Sequence, residues 1–176
     1  VNIIGFDKDG VICKSTPDDG DEMRIWFIKN CNPSDFRGNI SEAMKDADIF
    51  IGVSAPDVLK EYDVAAMATG SIVFALANPD PEIDPRIARK YAAVVATGRS
   101  DQPNQINNVL AFPGIFRGLL DGRITKITDA MLVAAADAIS SCVTSDQLNA
   151  NFIVPSVFDT QVVTKVADAV KLAGRA

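Results

Sequence analysis

Four short apolar runs rich in β-branched residues punctuate the first part of the chain: N-I-I-G-F, D-I-F-I-G-V-S, S-I-V-F-A-L-A and A-A-V-V-A-T-G. Each is continuous rather than alternating and is bounded by polar residues or by Gly and Pro. That is the pattern of parallel strands buried on both faces. Between the runs, helices are expected over residues 21–30, 41–46, 57–68 and 85–91. The last has the sharpest start signal, because Asp84 can cap the free N–H groups and Pro85 suits the first helical position. Strands alternating with helices predict a doubly wound α/β sheet.

Beyond Gly98 the pattern changes. A polar loop, RSDQPNQINN, leads into VLAFPGIFRGLLDG, which reads as a helix interrupted near Pro113. A long Ala-rich helix, MLVAAADAISSCV, follows from Thr128 or Asp129, then a strand-poor segment, NFIVPSVFDT, and a closing amphipathic helix over residues 161–173. No internal repeat or low-complexity tract is visible. The expected organisation is one domain, with a sheet core over 1–98 and an active-site loop and helical tail over 99–176.

Composition narrows the function. The 176 residues suffice for one domain with a sizeable core, and 48% apolar with 23% charged residues is a soluble globular composition. A net charge of −6 argues against nucleic acid or an anionic membrane surface as main partner. No apolar run approaches the roughly 20 residues of a membrane span, and no secretory signal is visible. Cys13, Cys31 and Cys142 are scattered, without a C-x-x-C pair, which offers no metal site and suits a reducing cytoplasm. There is no histidine, so any proton transfer uses other groups or another chain segment. The chain opens at Val1, already within a strand-like run, which reads as a fragment or processed piece of a longer protein.

The first candidate chemistry is FDKDGVI, Phe6 to Ile12. A strand ending in D-x-D-G fits an aspartate-nucleophile phosphatase, whose two carboxylates flank a Mg²⁺. The hydroxyl such an enzyme needs could come from Ser54 or Thr97, but no later strand ends in an acidic pair. Asp7 could equally accept hydrogen bonds from a ribose at the end of the second strand of a dinucleotide fold. That would place a Gly-rich turn about 20 residues earlier, before the chain begins. D-x-D-G is also an ordinary turn through Gly10.

GVSAP (Gly52 to Pro56) and ALANPDPEI (Ala75 to Ile83) both follow apolar strands directly, placing them at the carboxyl edge of the sheet, where open α/β folds bind ligands. Gly52 would let backbone approach a ligand, Ser54 offers a hydroxyl, and the Asn78 amide both donates and accepts. Taken singly, both stretches are also common loop punctuation. The stretch Ala96 to Gly118 crowds Arg99, Ser100, Asp101, Asn104, Gln105, Asn107 and Asn108 into a loop between a strand and an apolar helix. Amides there could bind a carboxylate or carboxamide without adding charge. Pro113 and Gly114 would interrupt a helix, a cost expected mainly where backbone geometry matters.

GVSAP, IVFALANPDPEI and VVATGRSDQPNQINNVLAFPGIFRG closely resemble the NAD(P)-binding domain of malic enzymes, most nearly the shorter bacterial and archaeal branch. The resemblance runs from Asp7 to the closing VADAVKLAGRA. It implies a Rossmann-like sheet lacking its first strand and Gly-rich turn, with a C-terminal helical extension. It implies Asp7 beside the adenosine ribose, Gly52, Ser54 and Ala55 along the cofactor cleft, Asn78 beside the nicotinamide ribose, and Asn108, with Asn107 next to it, on the substrate carboxylate. Arg99, Ser100 and Asp101 match the family's loop without an assigned role. The region from Cys13 to Phe36 departs from the family pattern. The family's acid/base Tyr and Lys and its acidic metal ligands lie upstream, so no catalytic residue and no ligand for the Mg²⁺ or Mn²⁺ is expected in this segment. Tyr62 and Tyr91 lie in helices covering the sheet and are no substitutes.

The implied reaction is hydride transfer from C2 of malate to NAD or NADP, then metal-assisted loss of CO₂ to give pyruvate. A carboxylate at the ribose favours NAD, because it would repel a 2′-phosphate, although Lys8 could offset the repulsion. The implied partners are malate or pyruvate, the upstream catalytic half, and further copies in a homodimer or larger assembly. Two other readings remain at this point: the Mg²⁺-dependent phosphatase, and a non-catalytic nucleotide-binding module.

Overall fold

The computed structural model describes residues 1–175. Its centre is a parallel sheet of β3 (Ile49–Gly52), β4 (Ile72–Ala75) and β5 (Val94–Thr97), in that order. The strands run in register, with Phe50 opposite Val73 opposite Val95, and Gly52 opposite Ala75 opposite Thr97. All three therefore end level, and the segments that follow leave from one edge.

Three short helices connect and cover the sheet: α2 (Ile40–Met44), α3 (Glu61–Ala65) and α4 (Pro85–Ala88). Asn39 and Glu42 close α2 with a reciprocal capping box. Asp84 caps α4, with Pro85 in its first turn, as its start signal predicts. On one sheet face Phe50, Val73 and Val95 pack with Met44, Leu59, Val64 and Ile83. The expectation of cover on both faces fails at β3, where Ile49 and Ile51 remain 56% and 64% exposed. β3 is an edge whose outer side no strand pairs among the described residues.

The run N-I-I-G-F does not join this sheet. Phe6–Asp7 (β1) instead pairs antiparallel with Gly10–Val11 (β2) across a two-residue turn at Lys8 and Asp9, which Gly10 leaves with φ near 121°. A continuous apolar run cannot distinguish the two arrangements, because parallel pairing depends on a distant neighbour and the hairpin only on a local turn. Helix α1 (Glu22–Asn30), capped by Asp21, follows the hairpin. Asn32 then ties back to it: its backbone N–H donates to Ile3 O at 2.7 Å, and its buried amide to Ile12 O at 3.1 Å.

The helices are shorter than their polar spacing suggests. The region 57–68 is helical only over Glu61–Ala65, because the chain before it pairs instead with the loop after β4. The Asp57 N–H donates to Pro81 O and the Leu59 N–H to Glu82 O, at 3.3 and 2.9 Å, and Leu59 is buried. The region 85–91 ends as a regular helix at Ala88.

The remainder forms a second layer: a 3₁₀ turn (Asn108–Leu110), then α5 (Phe112–Gly122), α6 (Asp129–Ser140) and α7 (Thr160–Ala173). Pro113 does not interrupt a helix. It sits in the first turn of α5, where its missing N–H costs nothing. Gly114 and Gly118 are explained by packing rather than by strain. An added Cβ would lie 2.5 Å from Val166 Cβ at Gly114 and 2.5 Å from Ala167 O at Gly118, so both let α5 lie directly on α7. Leu110, Ile115, Met131, Val162, Val166 and Val170 form the core of this layer. No helix among the described residues is long and apolar enough to cross a membrane.

Candidate functional site

Because β3, β4 and β5 end level, the loops carrying Ser54, Asn78 and Arg99–Asn108 emerge side by side. What holds them is buried beneath. Glu82 is completely buried and directs its carboxylate to both of the first two loops. One carboxylate oxygen accepts from the Ser54 N–H at 2.8 Å and from its hydroxyl at 3.0 Å, and the other accepts from the Ala77 N–H at 3.0 Å. A charge so placed is tolerated because polar hydrogens meet both oxygens, and such bonds are strong.

Glu82 also gives Gly52 a second reason to lack a side chain. An added Cβ would lie 2.5 Å from the Glu82 Cδ and 2.8 Å from Phe50, so the carboxylate occupies the space. Ser54 and Ala55 are exposed, as is Asn78 directly after Ala77. With its hydrogen directed to Glu82, the Ser54 hydroxyl is left as an acceptor toward solvent. The Asn78–Pro79 peptide is cis.

The loop after β5 has its own buried anchor. Asn104, 6% exposed and with φ near 58°, donates its amide to Val95 O at 3.1 Å and to Ala150 O at 2.8 Å. Its carbonyl oxygen accepts from the Ile153 N–H at 3.0 Å. A single side chain thus joins β5 to the 150–153 segment of the helical layer. The Ile106 N–H continues the β5 ladder by donating to Thr97 O at 2.8 Å. Both Asn107 and Asn108 are exposed, but they differ: the Asn107 oxygen caps the 3₁₀ turn by accepting from the Val109 N–H at 3.0 Å. Asn108 begins that turn with its side chain at the surface.

Arg99 forms a two-pronged bond to Asp101 within the same loop, at 2.8 and 2.9 Å. The guanidinium holds the Asp101 carboxyl down at about 2. Beside them, Arg86 pairs with Asp84 at 2.7 Å and lowers its carboxyl too. These residues line a cleft of about 360 Å³ whose two arginines are already paired with carboxylates, and with Asp57 and Asp80 also in its wall the cleft is acidic on balance.

Asp7 stands apart from this edge, at the end of β1 in the hairpin. One carboxylate oxygen accepts from the Asp9 N–H at 2.8 Å, and the other meets Arg24 at 3.1 Å. Lys8 turns instead to Asp9, at 2.8 Å, so the cation beside Asp7 is Arg24. Among the described residues no group of three or more His, Cys, Asp or Glu side chains could hold a metal ion. Tyr62 and Tyr91 are exposed, and the Tyr91 hydroxyl donates to Glu61 at 2.9 Å.

Residues 1–174 match the family model described as "Malic enzyme, NAD binding domain". The chain belongs to that family. It is 53% identical over 171 residues to the NAD-dependent malic enzyme of Geobacillus stearothermophilus, covering 96% of this chain and 35% of that protein. It is 40% identical over 185 residues to the NADP-dependent malic enzyme of Rhizobium meliloti, covering 96% and 24%. The crystal structure of the NAD-dependent malic enzyme of Thermotoga maritima superposes with a TM-score of 0.87 at 41% identity, over 97% of this chain and 45% of that one. The chain therefore spans less than half the length of these relatives, and its Rossmann-like character is that of a malic enzyme NAD-binding domain. The phosphatase alternative finds no support in these relatives, and Asp7 is engaged by Arg24 and by the turn.

Sequence reasoning missed Glu82 and Arg24 at this malic enzyme domain's candidate site, and it counted Asn104 among the loop's ligand-binding amides, whereas the structure buries it as an anchor. Glu82 was visible in A-N-P-D-P-E-I and Asn104 in D-Q-P-N-Q, but nothing local distinguishes a buried polar residue from loop punctuation. Arg24 lies 17 positions from the carboxylate it meets.

Proposed function

We propose that this chain supplies the cofactor-binding part and the substrate-binding amides for NAD(P)-dependent oxidative decarboxylation of malate to pyruvate and CO₂. The observation that carries the proposal, within a malic enzyme NAD-binding domain, is the joint anchoring of the Ser54 and Asn78 loops on Glu82 at the carboxyl edge. That edge is where open parallel sheets take ligands, and its exposed groups fit a dinucleotide. Ser54 has an acceptor free for a ribose hydroxyl or a carboxamide N–H, and Asn78 an exposed amide beside it.

A nicotinamide dinucleotide held at this edge would supply the acceptor for the hydride from C2 of malate. The chain's own work is to hold and orient. Gly52, Ser54, Ala55 and Asn78 form the cofactor floor, and Asp7 receives the adenosine ribose. Asn108 donates to the substrate carboxylate, while Asn107, with its oxygen committed to the turn, fixes the backbone beside it. No metal step belongs to these residues, because their donor set does not fit a divalent ion. The ligands for Mg²⁺ or Mn²⁺ and the groups that move protons belong to the region that relatives carry beyond this segment. We assign the sheet core to 1–98, the substrate loop and helical layer to 99–176, and the assembled enzyme to a cytoplasmic homodimer or larger oligomer.

NAD is the favoured cofactor, because the Asp7 carboxylate would meet a 2′-phosphate. Arg24 moderates the preference, since a guanidinium at that position attracts the same phosphate. The test is turnover: joined to the upstream half, the protein should form NADH and pyruvate in equal amounts from malate. The isolated chain should bind NAD without turnover. Malate oxidation by the isolated chain would contradict this division of labour. Dinucleotide binding without turnover in the joined protein would make it a binding module.

A further inference from the structure

We propose that Glu82 is the positioning residue of the cofactor edge: its carboxylate fixes the Ser54 loop against the Asn78 loop in the spacing that receives the dinucleotide. The proposal rests on the functional reading above and goes beyond it, since Glu82 does not itself face the ligand.

Three observations converge. First, the carboxylate spans two strand-end loops, taking the Ser54 N–H and hydroxyl on one oxygen and the Ala77 N–H on the other. Second, the main chain around Glu82 repeats the link, because Glu82 O accepts from the Leu59 N–H at 2.9 Å and Pro81 O from the Asp57 N–H at 3.3 Å. Third, β3 ends in a glycine whose missing side chain is the volume the carboxylate fills. A hydrophobic residue would fill that volume without the cost of burying a charge, so the acceptors themselves are what the position uses.

The chemistry is specific to a carboxylate. Three donors converge on two oxygens, and a carboxylate accepts at both. A glutamine keeps the shape but offers one oxygen and one N–H₂, which would face either Ser54 or Ala77 donor to donor. Glu82→Gln must therefore release one of the two loops. The Ser54 hydroxyl would then lose the partner that fixes its hydrogen, and its acceptor direction toward the cofactor with it.

The test reads loop positioning and ligand affinity separately. Backbone amide exchange should show Ser54 and Ala77 protected in the wild type, with at least one losing protection in Glu82→Gln. NAD affinity, measured by calorimetry below each variant's melting temperature, should fall ~10-fold, the effect of losing one charge-assisted bond. Gly52→Ala, which drives the carboxylate from its place, should reproduce the loss of amide protection and serves as the second variant if Glu82→Gln folds poorly, read by exchange alone because Gly52 itself belongs to the cofactor floor. Val73→Ala, in the same core but away from the edge, should lower the melting temperature and leave the NAD affinity within ~2-fold.

Unchanged protection at both amides in Glu82→Gln overturns the proposal, whatever the cofactor does. So does a loss of affinity in Val73→Ala equal to that in Glu82→Gln, which would make the effect one of stability alone. A wild type that binds neither NAD nor NADP overturns the functional reading instead, and shows as absent binding in every variant rather than as a difference between them.

Discussion

Glu82 and Asn104 both lie buried beneath exposed loops that carry candidate ligand-binding asparagines, and they solve the same problem with opposite chemistry. Glu82 collects three donors from two adjacent loops, so it works as a pure acceptor and stitches the sheet edge to itself. Asn104 gives two hydrogens and takes one, joining β5 to the 150–153 segment. The first sets spacing within the sheet layer, and the second sets how the helical layer sits on it. The difference teaches that each position is chosen by the count of donors and acceptors it must match, since buried polar groups left unmatched are costly.

The largest effect should come from Asn104→Asp. Aspartate fits the same shape and the same left-handed backbone, but turns an acceptor toward Val95 O and Ala150 O. Urea unfolding should show a loss of about 3 kcal/mol. NAD affinity should stay within ~2-fold, because the layer it holds is not the cofactor edge. Weakening of NAD by as much as Glu82→Gln would break the comparison.

Next comes Gly118→Ala, which sets a methyl against the α7 backbone and should cost about 2 kcal/mol in the same unfolding measurement. If the helical layer docks as a unit, it should leave amide exchange at Ser54 and Ala77 unchanged.

A smaller effect is expected at the hairpin. Arg24→Ala frees Asp7 from its cation and should widen the preference for NAD over NADP by ~10-fold in binding titrations. A preference that does not move would remove Asp7 from the cofactor site.

The smallest effect is electrostatic. Asp101 titrates at about 2, below the ordinary carboxylate range, so its contribution is complete above that range and is lost as pH falls through about 2. The pair is exposed, so the change in stability should be slight. A carboxyl NMR titration should place the midpoint near 2. An ordinary midpoint of about 3.9 would mean that Arg99 does not hold the loop.

Much of this architecture was legible in the chain. The runs that became β3, β4 and β5 were recognisable because buried parallel strands are continuous and apolar. Asp84–Pro85 marked the start of α4 because capping is local chemistry. The N-I-I-G-F run reads as a sheet strand because periodicity shows an apolar strand but not its partner. Pro113 reads as a break because the pattern gives no helix start before it, whereas the chain enters α5 at Phe112. The motifs around Ser54 and Asn78 pointed to the sheet edge, but Glu82, which links them, lies 28 residues from Ser54. Buried polar anchors depend on three-dimensional donor counts, and no spacing rule encodes those.

The central claim is that this sheet edge is where the protein receives a nicotinamide dinucleotide, and amide mapping of the ¹⁵N-labelled protein during titration with NAD tests it most directly. Saturable shifts are expected at Ser54, Ala55, Ala77 and Asn78, with residues along α6 unmoved. Shifts confined to the helical layer, or none at the edge at saturating NAD, would contradict it.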